Sequence, residues 1–79
     1  MSSFVYEVKR KEGAITVYLE GEINSTNASS VENEILAALK GRKKESIILN
    51  AQKLAYISSA GLRVVLRLKQ SYEDFVVVD

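Results

Sequence analysis

Phe4, Tyr6 and Val8 alternate with Val5, Glu7 and Lys9, the period of two that marks a β-strand. Lys11-Glu12-Gly13 reads as a turn, because Gly13 is free to take positive φ. Ala14 to Leu19 is rich in β-branched and aromatic residues and predicts a second strand. So short a join predicts an antiparallel hairpin. Gly21 to Asn27 reads as a loop, with Asn27 as the N-cap of a helix. Ala28, Val31, Ile35, Ala38 and Leu39 follow at helical spacing and give one apolar face. Glu32 and Glu34 suit its start, Lys40 suits its end, and Gly41 is the expected stop.

Arg42 to Glu45 reads as a charged connector. Ser46 to Leu49 is an apolar run without alternation, which predicts a strand covered on both faces, as in parallel sheet. Asn50 to Ile57 is read as a loop. A second helix starts near Ser58–Ser59, with Leu62, Val65, Leu66 and Tyr72 as its inner face and Arg63, Arg67 and Gln70 towards water. Lys69 aligns with Leu62, so its stem is expected along the apolar face. Phe75 to Val78 is a last strand. The order β-β-α-β-α-β predicts an α/β fold: an antiparallel N-terminal hairpin, then parallel strands joined by helical crossovers.

Composition narrows the chemistry more than the fold. The chain has 79 residues, enough for one domain, 1–79, with a modest core. Its net charge is +1 and its cations are scattered, so nucleic acid is not an expected partner. No stretch has the length of a membrane span and no signal peptide begins the chain, so the expected location is cytoplasmic. There is no histidine and no cysteine. That removes the usual zinc sites and every Ser–His or Cys–His catalytic pair, so an enzyme, including a small serine hydrolase, is not expected. No cofactor is implied.

One segment stands out. Tyr56-Ile57-Ser58-Ser59-Ala60-Gly61-Leu62 lies where a loop enters a helix, whose first amides carry partial positive charge. Two readings stay open there. A serine at this place is a common N-cap. It is also a place where a phosphate is tolerated by the helix, while its charge and acceptor oxygens would disturb a partner packed against the surface.

This segment resembles the aromatic-apolar-Asp-Ser-Ser/Ala-Gly-Leu signature of STAS domains, named after sulphate transporters and anti-sigma factor antagonists. Leu19-Glu20-Gly21-Glu22-Ile23-Asn24 is similar to the family's second strand and its Gly-Glu-Leu-Asp element. Ser46-Ile47-Ile48-Leu49-Asn50 is similar to the strand before the signature. The resemblance implies a STAS-like mixed sheet with its helices on one face. It implies an anti-sigma factor antagonist that captures an anti-sigma factor with serine kinase activity and is released when that kinase phosphorylates Ser59. The alternative is a STAS subunit without phosphorylation, in a lipid transporter or stress-signalling complex. The partner surface it implies comprises Asn24, Ser25, Thr26, Asn27, Ser58, Ser59, Ala60, Gly61, Leu62 and Arg63. Ser58, Asn24 and Asn50 stand where the family usually has acids, so the site is expected to repel an added phosphate less.

Family members usually continue past Val78 into a further helix. The chain is therefore expected to be C-terminally shortened, to leave apolar sheet surface uncovered, and to favour a homodimer. Among the remaining candidates, Glu20 and Glu22 are read as solvated carboxylates, and Arg42-Lys43-Lys44 as a solvated connector.

Overall fold

The computed structural model describes residues 4–41 and 45–78. The predicted Arg42–Lys44 connector lies outside the described residues. Strand β1 (Phe4–Lys11) and strand β2 (Ala14–Ile23) pair antiparallel, from Phe4↔Gly21 to Lys11↔Ala14. Glu12 and Gly13 turn the chain with φ of 43° and 81°. Two positive φ values in a two-residue connection are what a type I′ hairpin turn requires, and they match the twist of the strands.

Helix α1 (Ala28–Ala38) carries the chain over to strand β3 (Ser46–Ile57), which lies parallel to β2. Helix α2 (Ser59–Ser71) then leads to strand β4 (Phe75–Val78), parallel to β3. The sheet order is β1-β2-β3-β4, so β1 and β4 are its edges. The predicted mixed α/β architecture is the one observed.

Alternation along β2 defines the sheet's two faces. Ile15, Val17, Leu19 and Ile23 are buried, whereas Tyr18, Glu20 and Glu22 are exposed. Ile47 and Leu49 continue the inner face on β3, and Phe75 on β4. Val31, Ile35 and Leu39 from α1 join Val64 and Leu68 from α2 in the same cluster. Each such fully buried aliphatic side chain contributes about 1.5–3 kcal/mol. Arg67 of α2 donates from Nε and Nη2 to the two carboxylate oxygens of Glu32 on α1, both at 2.8 Å. The helices are therefore neighbours on one face, tied at their outer surface by a bidentate fork.

Four expectations need correcting. First, β2 runs on to Ile23 and β3 to Ile57, where loops were predicted from Gly21 and Asn50. The register shifts between Tyr18 and Glu20, and between Gly21 and Glu22, each place their extra residue on β3 and disrupt its period of two, whereas β2 keeps its alternation but carries Gly21, a weak strand former, at the point where the loop was read. Backbone pairing continues regardless, through Gly21↔Leu54 to Ile23↔Ile57.

Second, β3 is covered on one face only. Ile48 is half-buried and its neighbour Val76 is 50% exposed. Third, the inner face of α2 is Gly61, Val64 and Leu68, with Tyr72 just beyond. Leu62 and Leu66, assigned inward, are 54% and 58% exposed, and Val65 is half-buried. The helix carries apolar residues on two adjacent phases, and buried Gly61 selects between them. The alignment of Lys69 with Leu62 therefore places that lysine on the exposed side, where it is found. Fourth, Arg67 does not simply face water but holds Glu32.

Candidate functional site

The site lies at the C-terminal ends of β2 and β3, where both helices begin. Ile23 ends β2 opposite Ile57, which ends β3. The Ser58 amide then donates to the Ile23 carbonyl at 2.8 Å, the last tie before the chain turns into α2. Ser58 is extended, with φ −84° and ψ 174°, and its Oγ accepts from the Gly61 amide at 3.2 Å. The Leu62 amide donates to the Ser58 carbonyl at 2.9 Å. Ser58 is therefore the N-cap, and this settles which serine finishes the helix. Ser59 becomes the first helical residue, and it is exposed.

Gly61 fixes how deeply this corner is seated. A Cβ there would lie 2.7 Å from Ile57 Cγ1 and 2.8 Å from Ile23 Cγ2. The helix backbone thus rests directly on the two isoleucines that end the strands. Gly61 is buried, so it sets the height of Ser59 and offers no side chain to a partner.

Asn24 to Asn27 form the adjacent rim. The expected Asn27 cap is absent in its simple form, since its side chain accepts no bond from the helix's amides. Asn24 Oδ1 instead accepts from the Thr26 and Asn27 amides at 2.9 Å and 3.0 Å. Asn27 Oδ1 accepts from the Asn24 amide at 2.8 Å, and its Nδ2 donates to the Glu22 carbonyl at 3.0 Å. The reciprocal pair has the layout of a capping box, begun three residues upstream of the predicted cap. It leaves Ser25 and Thr26 exposed beside the start of α2.

The structure thus brings Asn24, Ser25, Thr26, Asn27, Ser58, Ser59, Ala60, Leu62 and Arg63 to one end of the sheet, with Gly61 beneath. Of these, Ser25, Thr26, Ser59, Leu62 and Arg63 are the exposed ones, while Asn24, Asn27, Ser58 and Ala60 are half-buried. Two of the three residues standing where acids are usual, Asn24 and Ser58, belong to the rim. The third, Asn50, does not. It pairs with Tyr18 and lines a depression on the open face of the sheet with Glu7 and Lys9, and its Oδ1 accepts from the Gln52 amide at 3.0 Å. Its neutrality has no bearing on charge near Ser59.

Sequence reasoning missed the apolar ground beside this rim. Tyr56, at 54% exposure, and Leu62 line a groove with Leu54, Val65 and Val77. Treating Gly61 as an inward position would have found it, because Leu62 and Leu66 then turn outward.

Among the described residues, no helix is long and apolar enough to cross a membrane. The STAS domain family matches residues 5–78. A relative from Bordetella bronchiseptica, named as a candidate anti-sigma factor antagonist, BtrV, is 45% identical over 73 residues. That alignment covers 86% of this chain and 61% of the relative, so the chain spans about three-fifths of its length. Among solved structures, an anti-sigma factor antagonist from Mycobacterium paratuberculosis superimposes with a TM-score of 0.83 at 19% identity, covering 95% of this chain and 66% of that one. The Bacillus cell fate determinant SpoIIAA in its phosphorylated form gives 0.68 at 18% identity, covering 94% and 70%. At such identities these two establish the fold alone. With its signature segment at the mouth of α2 and the family matched over residues 5–78, the chain belongs to the STAS domain family.

Proposed function

We propose that the chain is an anti-sigma factor antagonist, a non-enzymatic binding module of the cytoplasm switched by phosphate on Ser59. Unmodified, it docks an anti-sigma factor that has serine kinase activity through the rim formed by Asn24–Asn27 and Ser58–Arg63. Phosphorylated, it lets go. The observation that carries this reading is the division of labour between the serines. Ser58 caps the helix, so Ser59 is exposed and modifying it breaks no capping bond.

A phosphate on Ser59 adds nearly two negative charges and three acceptor oxygens. The unsatisfied amides of the first turn and the helix dipole stabilise it within the chain. Arg63, exposed one turn on at i+4, is in reach of the same group. The modification therefore places a solvated anion on the docking surface and turns one of its cations inward. Both effects act against the partner and neither requires the fold to move.

The test is incubation with the anti-sigma factor and ATP, followed by site mapping of the parent and of Ser59→Ala. Phosphate confined to Ser59 supports the reading, and equal labelling of the variant removes it. Binding that persists with no phosphate transfer favours the STAS subunit that serves only as a docking piece of a transporter or stress complex.

A further inference from the structure

We propose that the depression on the face of the sheet away from the helices binds a free α-amino acid with an apolar side chain, its ammonium towards β1 and β2 and its carboxylate towards β3. This proposal does not rest on the reading of Ser59.

The depression has a volume of about 390 Å³, within the range of small-molecule sites. A bulge in β3 builds it. Tyr18 pairs with Asn50 and Glu20 with Lys53, so Ala51 and Gln52 stand against Leu19 alone. Asn50 Oδ1 closes the bulge by accepting from the Gln52 amide at 3.0 Å. In a regular strand Gln52 and Lys53 would point to opposite faces. Here both line the depression, beside Asn50.

The lining divides by charge. Glu7 and Glu20 belong to β1 and β2, whereas Asn50, Gln52 and Lys53 belong to β3. Glu7, Glu20 and Lys53 are exposed, and none has an ion pair among the described residues, although Glu20 and Lys53 are register partners. The other cation, Lys9, lies 5.5 Å from the centroid of the Tyr18 ring and is drawn to that aromatic face. Charged side chains are almost never fully buried unless paired, so this stretch of the sheet is no seat for an apolar element. Two carboxylates are thus set about one strand spacing, ~4.8 Å, from an ammonium and two side-chain amides. An α-amino acid carries both of its charges on one carbon and spans that gap. Its ammonium donates to Glu20 and Glu7, and its carboxylate accepts from Lys53 and the amides of Asn50 and Gln52. Val5 and Tyr18, both exposed, supply apolar contact for its side chain. A simple anion or cation would meet only half of the lining.

The probe is L-leucine, titrated into the full isotope-labelled chain and followed by amide NMR. Saturable shifts confined to β1, β2 and β3 around Tyr18, Glu20 and Lys53 are expected. L-leucinamide, which lacks the carboxylate, and N-acetyl-L-leucine, which lacks the ammonium, should each bind at least about tenfold more weakly. Glu20→Gln and Lys53→Gln, both at exposed positions, should keep the fold's amide pattern and weaken leucine binding to the same degree. Shifts located elsewhere, no saturation at tens of millimolar leucine, or a derivative that binds as well as leucine would overturn the proposal. So would leucine affinity that is unchanged in Lys53→Gln.

Discussion

Adding one methyl group at Gly61 tests how the site is built. In Gly61→Ala the new Cβ meets Ile57 Cγ1 at 2.7 Å, Ile23 Cγ2 at 2.8 Å and Ile23 Cβ at 3.2 Å. The last of these is attached directly to backbone, so no rotamer change removes all three contacts. Overpacking of this kind costs about 1–3 kcal/mol. Alanine recovers up to about 1 kcal/mol of helix propensity, and less than that in a first turn. The expected net loss is about 1–2 kcal/mol, which lowers the melting midpoint of a domain this size by roughly 4–16 °C. Thermal and urea unfolding followed by circular dichroism measure it. The double variant Gly61→Ala with Ile57→Ala removes the nearest clash, so the pair should cost less than the sum of the singles by about 1 kcal/mol. A Gly61→Ala protein as stable as the parent, or a strictly additive pair, would refute the claim that the helix rests on the two isoleucines.

Three further outcomes follow from the same contacts. Ser58→Ala removes the acceptor for the Gly61 amide and should cost about 0.5–2 kcal/mol in urea unfolding, whereas Ser58→Asp keeps a cap and should not. The hydrogen bonds from Arg67 hold the Glu32 carboxyl below its ordinary range, with the cation's charge adding to them against a partial loss of hydration. A carboxylate depressed in the folded state adds stability above its unfolded pKa and loses it as pH falls through the folded value. Glu32→Gln should therefore flatten the acid limb of stability below about pH 4.3, and salt should blunt the difference, since Arg67 is well exposed. Burial raises the Tyr72 hydroxyl above its ordinary range, so stability should fall as pH climbs past about 10, the unfolded value. Tyr72→Phe should remove that alkaline loss.

The architecture was legible because the hairpin, both helices and all four strands leave local marks: Gly13 for the turn, the Ala28–Leu39 stripe, and the apolar run before each crossover. What was not legible depends on pairing across the chain. The second half of β3 is bulged and shows no clean alternation, and that of β2 is marked by Gly21 between two glutamates, so their mutual hydrogen bonds are what make them strands. The phase of α2 was misread because Leu62 and Leu66 compete with Val64 and Leu68, and propensity cannot decide between them. The close approach at Gly61 decides it, and that contact needs Ile23 from far upstream. The serine pair was visible as a motif. Which serine caps the helix and which is exposed required the Gly61 amide to be placed. The Asn24–Asn27 box follows the capping pattern with asparagine where glutamate or glutamine is usual, which hides it from a motif search.

The account stands most directly on calorimetric titration of the anti-sigma factor with the unmodified protein and with the protein carrying phosphate on Ser59 alone. The prediction is tight binding by the first and a weakening of at least about tenfold for the second, the equivalent of 1.4 kcal/mol. Both forms should give the same amide pattern across β2, β3 and α2. Equal affinity of the two forms would contradict it, and so would a loss of affinity that comes with unfolding of α2.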